Sequence, residues 1–319
     1  MSTPTLPRPH RRAARQLLLG LVPVLVVGVV LLVAVGFRLS DARAPLAGAT
    51  ATASATVDGE RSGDELLVVR FTDPQGRARE GRIRLARAQQ VPAGAQVTVQ
   101  YDPRATPGRA QPVYAPGDRA HAAVTSAVFG LVVVLVVVLL VAALTAGRLL
   151  GRPRLRRRPV TRVPATHVVH RQGLVVRSWL ELETAAGLRY LPVHWAPELD
   201  GLAPGTAVEV RGDPARDRPV LPVVDGAELW PSGRVRARRP RGELRQAAVD
   251  PHAAGVGLRR QARADGVLPV LSPLFGLLWA YVDGSGVLGF LAATLLSAAV
   301  LFWLPQLLGS DPRAVSREE

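Results

Sequence analysis

The stretch that decides the fold is residues 122–146, AAVTSAVFGLVVVLVVVLLVAALTA, an apolar run that no charged residue interrupts. A helix needs about 20 apolar residues to cross roughly 30 Å of hydrocarbon. The β-branched centre of this run, residues 131–140, would favour a strand in water. In lipid a lone strand leaves its backbone polar groups unpaired, whereas a helix pairs them within the segment. The stretch therefore predicts a transmembrane helix.

Three further uncharged apolar stretches occur, at residues 17–37, 266–282 and 287–308. The first and the last are long enough to span a bilayer. The stretch between them is short and holds Pro269 and Pro273, but the turn at 283–286, DGSG, leads from it directly into the last stretch. We therefore expect a two-helix hairpin at the C-terminal end, and four transmembrane helices in all.

The first apolar stretch has one alternative interpretation, a cleaved signal peptide. Arg11, Arg12 and Arg15 form a basic flank before it, and the sequence Ala-Arg-Ala at 42–44 is a passable cleavage site. However, the run from Leu17 to Phe37 is longer than the roughly 7–15 apolar residues of a signal-peptide core. An uncleaved membrane anchor is the better interpretation.

Arginine alone supplies the basic charge, and its distribution predicts the topology. All 40 basic residues are arginine, against 25 acidic residues, and this usage is typical of a GC-rich bacterial genome. Arginines flank the first stretch on its N-terminal side and follow the second closely, which marks those sides as cytoplasmic. We therefore expect a multi-pass protein of the bacterial inner membrane with both termini in the cytoplasm. Its expected parts are a basic N-terminus at 1–16, an extracytoplasmic β domain at 48–118, a cytoplasmic β domain at 160–230, a basic juxtamembrane linker at 231–265 and a cytoplasmic tail at 309–319.

The two regions between the apolar stretches carry one pattern twice, at a constant offset of 111 residues. Residues 91–103, VPAGAQVTVQYDP, match residues 202–214, LAPGTAVEVRGDP. Gly76 and Gly187 keep the same offset, as do Phe71 and Leu182. The sequence therefore predicts an internal duplication, in which the second copy is the more diverged. The fold class is a membrane protein of α + β type with two small antiparallel β domains.

Each copy is expected to be antiparallel β, and in the first copy alternation of small polar and apolar residues at 50–57 predicts a strand. In the first copy the turn at 73–76, DPQG, joins two strands. Arginines at 77 and 79 and then at 82 and 84 change parity near Gly81, so we expect a β-bulge at Glu80 and Gly81. The expected core of the second copy is Val175, Leu180, Leu182, Tyr190 and Val208.

The first half of the chain, about residues 15–146, resembles a bacterial membrane-protein family of unknown function that is frequent in actinobacteria. The resemblance lies in a short β unit that follows a transmembrane helix, and in a late signature formed by Pro92, Gly94, Val97, Val99, Tyr101, Asp102 and Pro103. The second copy keeps Gly205, Asp213 and Pro214 but has Gly212 in place of the tyrosine. The resemblance implies an architecture and no activity.

The sequence offers few residues for catalysis or metal binding. It has no cysteine, so thiolate chemistry is excluded, and it has no lysine for a Ser-Lys dyad. His167 and His170 are spaced so that a strand would direct them to opposite faces, which disfavours a metal site. We expect His121, His194 and His252 to be ordinary polar or edge positions. The sequence predicts no cofactor and no metal.

The basic runs at 152–162 and 234–245 could suggest nucleic acid, but they lack the interleaved aromatic residues on which bases stack. Both lie close to predicted membrane segments. Contact with anionic lipid headgroups, worth about 1 kcal/mol for each arginine near the surface, explains them more simply. The expected headgroup contacts are Arg152, Arg154, Arg156, Arg157 and Arg158.

These observations favour a non-enzymatic envelope protein, a membrane-anchored binding or scaffolding module that acts through its β domains on a protein partner or on a second copy of itself. An accessory subunit of a membrane transport system is one alternative, although the predicted spans hold none of the charged groups that transport pathways use. An unrecognised hydrolase in the outer domain is the other.

Overall fold

The computed structural model describes residues 11–59, 65–106, 110–250 and 256–313. Within it, four helical stretches are long and apolar enough to cross a membrane, as the sequence predicts. They are Arg11–Ala47, Arg119–Arg157, Leu258–Asp283 and Gly286–Leu308. The chain divides into two compact units, one formed by Val29–Val136 and the other by the residues on either side of that range.

The first two helices, α1 (Arg11–Ala47) and α2 (Arg119–Gly151), are longer than the spans predicted for them. Large apolar side chains project outward along both, and Val26, Val30, Val136 and Leu139 each expose more than half of their surface. A helix surface of this kind is expected where the surroundings are lipid rather than water.

The C-terminal stretch forms the expected hairpin. Helix α3 (Leu258–Asp265) and a 3-10 turn at Leu268–Leu271 precede α4 (Ser272–Asp283) and α5 (Gly286–Leu308). Gly284 ends α4 in a left-handed conformation with φ +65°, which a residue without a Cβ adopts at little cost. Gly276 lets α4 and α5 approach closely, because a Cβ there would lie 2.0 Å from Oγ1 of Thr294.

The unit Val29–Val136 holds a sheet of five strands in the order β4-β1-β2-β3-β5. The strands are β1 (Ala51–Val57), β2 (Leu66–Thr72), β3 (Ala78–Arg84), β4 (Gln96–Tyr101) and β5 (Gln111–Pro112). All pairs are antiparallel except β3 with β5. One face carries the core, in which Val69, Val99, Tyr101 and Ile83 are almost fully buried.

The bulge expected at Glu80 and Gly81 is wrong. The β2–β3 ladder runs without interruption from Leu66 opposite Arg84 to Thr72 opposite Ala78. The arginines change parity because Arg79 faces the core, with only 6% of its surface exposed, while its neighbours in the strand alternate normally. A buried ion pair, described below, makes this inward arginine tolerable.

The other unit holds a second sheet in the order β11-β10-β9-β6-β7-β8, with one additional strand on β6. Its strands are β6 (Val160–Gln172), β7 (Val175–Thr184), β8 (Gly187–Val193), β9 (Thr206–Arg211), β10 (Leu221–Val224), β11 (Ala227–Glu228) and β12 (Glu243–Gln246). Leu180, Leu182 and Val208 lie in its main core, as expected. Tyr190 belongs to a smaller cluster that includes Trp179, and Val175 is only half-buried.

The stretch 231–265, expected to be a linker, is partly built into this sheet. Strand β12 pairs with β6, and Arg236 forms a backbone bridge with Tyr190. The backbone N–H of Ala247 donates to the carbonyl of His167. A basic composition suggested solvent exposure, but backbone pairing with a sheet edge does not depend on side-chain polarity.

The two sheets share a strand order. The order β4-β1-β2-β3 of the first recurs as β9-β6-β7-β8 in the second, and every one of these pairs is antiparallel. The registers differ by one residue. Ala55 lies opposite Phe71 in the first sheet, and the offset of 111 residues would place Thr166 opposite Leu182 in the second. The residue opposite Leu182 is instead Ala165. A common strand order is what a duplication predicts, and the duplication itself stays a prediction.

Replacing Val99 with Asp should destabilise the first sheet, because Val99 is fully buried and the new carboxylate would have no partner there. We expect the free energy of unfolding to fall by about 3 kcal/mol or more, measured by protease resistance of the purified full chain in denaturant. The matched control is Thr98→Asp, whose side chain lies on the exposed face of the same strand. Equal resistance of the two variants would contradict the assigned inward face.

Candidate functional site

The glycines and prolines of the repeated signature form turns. Gly94 has φ +79°, and Ala95 N–H donates to the carbonyl of Pro92. Gly205 has φ +72° in the equivalent turn of the second sheet. Gly76 and Gly187 also have positive φ, in the hairpins that join β2 to β3 and β7 to β8. These glycines therefore supply the positive φ that each turn requires. They do not make room for a neighbouring group, since nothing lies within 4 Å of a Cβ built on any of the four.

The two Asp-Pro pairs form turns of the same type, one in each sheet. Oδ1 of Asp102 accepts a hydrogen bond from Arg104 N–H, and Oδ1 of Asp213 accepts one from Ala215 N–H, each at 2.8 Å. In both turns the aspartate carbonyl also accepts from the residue three positions later. Pro103 and Pro214 occupy the second turn position, where proline fixes φ. Asp102 and Asp213 are therefore turn-forming residues in both sheets.

Tyr101 and the inward Arg79 organise the end of the first sheet. The ring of Tyr101 packs against Phe71 with centroids 4.8 Å apart, and the Arg79 guanidinium lies 5.5 Å from the Tyr101 centroid. Arg79 Nε donates to Asp73 Oδ2 at 3.0 Å, and its other nitrogens donate to the carbonyls of Ala105 and Pro103. Burial alone would raise the Asp73 pKa, but hydrogen bonds from Arg77 and Arg79 outweigh it and lower that pKa. Val97 is half-buried beside this core.

The five arginines expected to contact lipid headgroups have different surroundings. Arg152 is only 6% exposed and lies over Trp230, with 5.5 Å from its guanidinium carbon to the ring centroid. Arg156 pairs with Glu228 through two of its nitrogens, and Arg158 pairs with Asp217. Arg154 and Arg157 are exposed and, among the described residues, make no ion pair. Contact of these five arginines with lipid headgroups stays a prediction.

A buried junction joins the second sheet to the helix ends. Gln16 of α1 and Gln261 of α3 both donate to Ser310, which follows α5. Asp311 N–H donates to the carbonyl of Val176 in β7 at 2.8 Å. These contacts bring the start of α1, the end of α5 and strand β7 together in one polar cluster.

Trp195 packs the same junction from the β8 side. The guanidiniums of Arg12 and Arg313 lie 4.4 and 5.3 Å from its ring centroid, and its indole N–H donates to Asp200. Arg313 also pairs with Asp200 at 3.1 Å. Desolvated contacts of this kind contribute up to about 2 kcal/mol each. The second sheet is thus fixed to the helices through polar contacts that leave little surface exposed.

The opposite surface of β6 and β7 carries the strongest candidate site, a cleft of about 620 Å³. The segment from Val235 to Arg241 forms its other wall. We call it the arginine cleft, because six arginines line it and, in the part of the chain that the structure describes, no acidic residue does. They are Arg177, Arg218, Arg236, Arg238, Arg239 and Arg241.

Trp179 and His170 form the floor of the arginine cleft. Both are about 98–99% buried, and their rings meet edge to face with centroids 5.5 Å apart. The guanidiniums of Arg177 and Arg236 each lie 5.4 Å from the Trp179 centroid. Within the described chain, neither the indole N–H of Trp179 nor Nδ1 of His170 has a hydrogen-bond partner.

Among the described lining residues, no carboxylate balances the arginines of the cleft. Burial, together with the nearby positive charges of Arg236 and Arg148, lowers the Arg177 pKa to about 10. Arg177 remains charged at neutral pH and donates through Nε to the carbonyl of Leu308, the last residue of α5. The cleft therefore concentrates positive charge beside a helix end.

The other described histidines have structural surroundings. His167 and His170 lie on opposite faces of β6, since His167 contacts Ser178 whereas Nε2 of His170 donates to the carbonyl of Arg241. His121 contacts Asp118 at the start of α2. His194 lies 3.5 Å from Gln16 in the junction. His252 lies outside the described residues.

A serine, a histidine and an aspartate do meet, but not as a hydrolytic triad. Ser178 Oγ lies 3.3 Å from His167 Nε2 and donates to Asp311 Oδ2 at 3.0 Å. In a triad the carboxylate orients the histidine from its other nitrogen, and the nucleophile is accessible. Here the carboxylate contacts the serine, which is fully buried. This cluster stabilises the junction.

No protein-family model matches this sequence, and neither a curated protein nor a solved structure is significantly similar to it. The resemblance carried by the signature at 92–103 therefore stays a prediction, and the argument for function depends on the chain's own geometry.

Titration of His170 should make the second sheet sensitive to acid. Burial is the main cause that lowers its pKa, opposed by the hydrogen bond to Arg241 and reinforced by Arg177 and Arg236. The folded state then resists a proton that the unfolded chain takes up near pH 6.5, so stability is lost as the pH falls below about 6.5. We expect the melting temperature of the wild type to fall more between about pH 7.5 and pH 5 than that of His170→Gln. An equal fall in both proteins would contradict this assignment.

Proposed function

We propose that this chain is a non-enzymatic integral protein of the bacterial inner membrane, a membrane-anchored binding module that acts through its β domains. In this proposal the four apolar helices span the bilayer, both termini are cytoplasmic, the first sheet faces outward and the second sheet faces the cytoplasm. The observation that carries the proposal is the junction in which Gln16 and Gln261 donate to Ser310 and the N–H of Asp311 donates to the carbonyl of Val176, because it connects the second sheet to α1, α3 and the end of α5.

A domain fixed in this way differs from one on a flexible tether. It keeps a constant orientation to the helix ends, and the arginine cleft is held beside them because Arg177 donates to the carbonyl of Leu308. Binding sites are typically concave and of roughly 300–1,000 Å³. The cleft, at about 620 Å³, lies in this range, and its exposed arginines are available to an anionic partner.

The hydrolase alternative receives no support from the geometry. In the described part of the first sheet, Ser54 lies opposite Thr98 in the β1–β4 ladder. His121 is engaged by Asp118 and lies in α2. A nucleophile needs a base within hydrogen-bond reach. Ser54 and His121 do not form such a pair. The transport-accessory alternative requires a docking partner for α4 and α5, and no particular contact favours it over lipid.

Crosslinking followed by mass spectrometry in native membranes tests the proposal. We expect crosslinks from the second sheet to a defined partner protein, or to a second copy of this chain, at reproducible positions around 171–189 and 234–246. The matched control is the same experiment on the Val99→Asp variant, which alters the first sheet alone. Absence of any intermolecular crosslink, together with substrate turnover by the purified chain, would contradict a binding module.

A further inference from the structure

We propose that the arginine cleft binds a phosphate group, presented either by an anionic phospholipid headgroup or by a soluble phosphate ester. The inference deepens the proposed binding function and rests on it, because it names the ligand chemistry of the same domain. It concerns Arg236, Arg241, Trp179 and His170, and not the exposed arginines that follow α2.

The cleft carries arginine side chains whose N–H donors have no partner among the described residues. Arg236, Arg238 and Arg241 are exposed at the rim, and in the described chain none of their side chains forms an ion pair or a hydrogen bond. A surface arginine cluster without acidic neighbours costs electrostatic repulsion unless an anion joins it. The guanidinium fork matches the oxygens of phosphate in a bidentate arrangement, which gives phosphate an advantage over a monatomic anion.

The floor of the cleft also holds a buried donor without a partner among the described residues, the indole N–H of Trp179. Buried polar groups in folded proteins nearly always have a hydrogen-bond partner, and one left without costs roughly 1–3 kcal/mol. The Trp179 indole N–H is a donor only, so its missing partner must be an acceptor. The oxygens of an ionised phosphate group accept hydrogen bonds. A phosphate group in the cleft would therefore supply acceptors to both the arginines and the indole N–H.

The last observation concerns the position of the cleft relative to the membrane. Arg177, in the cleft, donates to the last carbonyl of α5 and to Ser232, whose own carbonyl accepts from Arg148 near the end of α2. The end of α5 therefore contacts the cleft directly through Arg177, and the end of α2 is linked to it through Ser232. If those helices span the bilayer, the cleft lies at the depth of the headgroups, which is why a lipid phosphate is one of the two sources.

The experiment uses the full chain and two charge-matched double variants. Arg236→Gln with Arg241→Gln removes two cleft arginines. Arg234→Gln with Arg245→Gln removes two charges from the same basic segment outside the cleft. All four residues are exposed, and the Arg245–Glu243 pair is a surface ion pair of small energetic value. Protease resistance checks that both variants remain folded.

Two arms separate the sources of phosphate. In the first, inorganic pyrophosphate is titrated calorimetrically into protein held in phosphatidylcholine nanodiscs. In the second, phosphatidylglycerol is titrated into mixed micelles, and the bound lipid is counted by native mass spectrometry. We expect saturable binding in at least one arm, weakened about tenfold or more by the cleft variant and less than about twofold by the control variant. The arm that binds identifies the source.

Three results would overturn the inference. They are the absence of saturable binding in both arms, equal weakening by the two variants, and saturable binding of a single-stranded oligonucleotide alone. None of these results removes the crosslinks expected in native membranes, so the inference can fail while the proposed function stands. Loss of the crosslinks with retained pyrophosphate binding would contradict the proposed function and leave the phosphate site intact.

Discussion

The apolar surface of the four long helices is the constraint on which the rest of the structure depends. Side chains such as Val29, Leu139 and Val270 expose more than half of their surface, and soluble monomers rarely expose apolar surface of this extent. Backbone groups inside a helix are paired within the segment, so such helices can lie in hydrocarbon where a strand could not. The constraint decides where sheets can form, namely in the polar segments between the helices.

The second sheet adds a second level of organisation to this arrangement. Its contacts with the helix ends, through Ser310, Asp311 and Trp195, are buried and connect the sheet to the helices. Six arginines line the cleft on another part of its surface, and among the described residues the Trp179 indole N–H there has no acceptor. The convergence of these arginines on one aromatic ring is what gives the cleft its functional interest.

Sequence patterns predicted the helices, the hairpin at Gly284 and the turn at Gly76, because apolar length and turn chemistry depend on local sequence. They failed at Arg79, because an ion pair with Asp73, six residues earlier, lets this arginine face the core. They also failed at β12, since pairing with β6 is a non-local backbone event.

The arginine cleft could not be predicted for the same reason. Arg177 and Trp179 share a face of β7, which their spacing does indicate. Arg236 reaches them only because its segment bridges to Tyr190 in the folded chain. The basic run at 234–245 was visible in the sequence, but which of its arginines converge on one aromatic ring was not. Composition revealed the charge and could not reveal the site.

The central claim is that the apolar helices cross a bilayer and carry the two sheets to opposite compartments. Because the chain has no cysteine, single cysteines at Gln75 and at Ala185, both exposed in hairpins, can be labelled selectively in intact cells. The account predicts that an impermeant thiol reagent reacts with Gln75→Cys and reacts with Ala185→Cys only after the membrane is permeabilised. Equal labelling of the two positions in intact cells, or the reverse order, would contradict it.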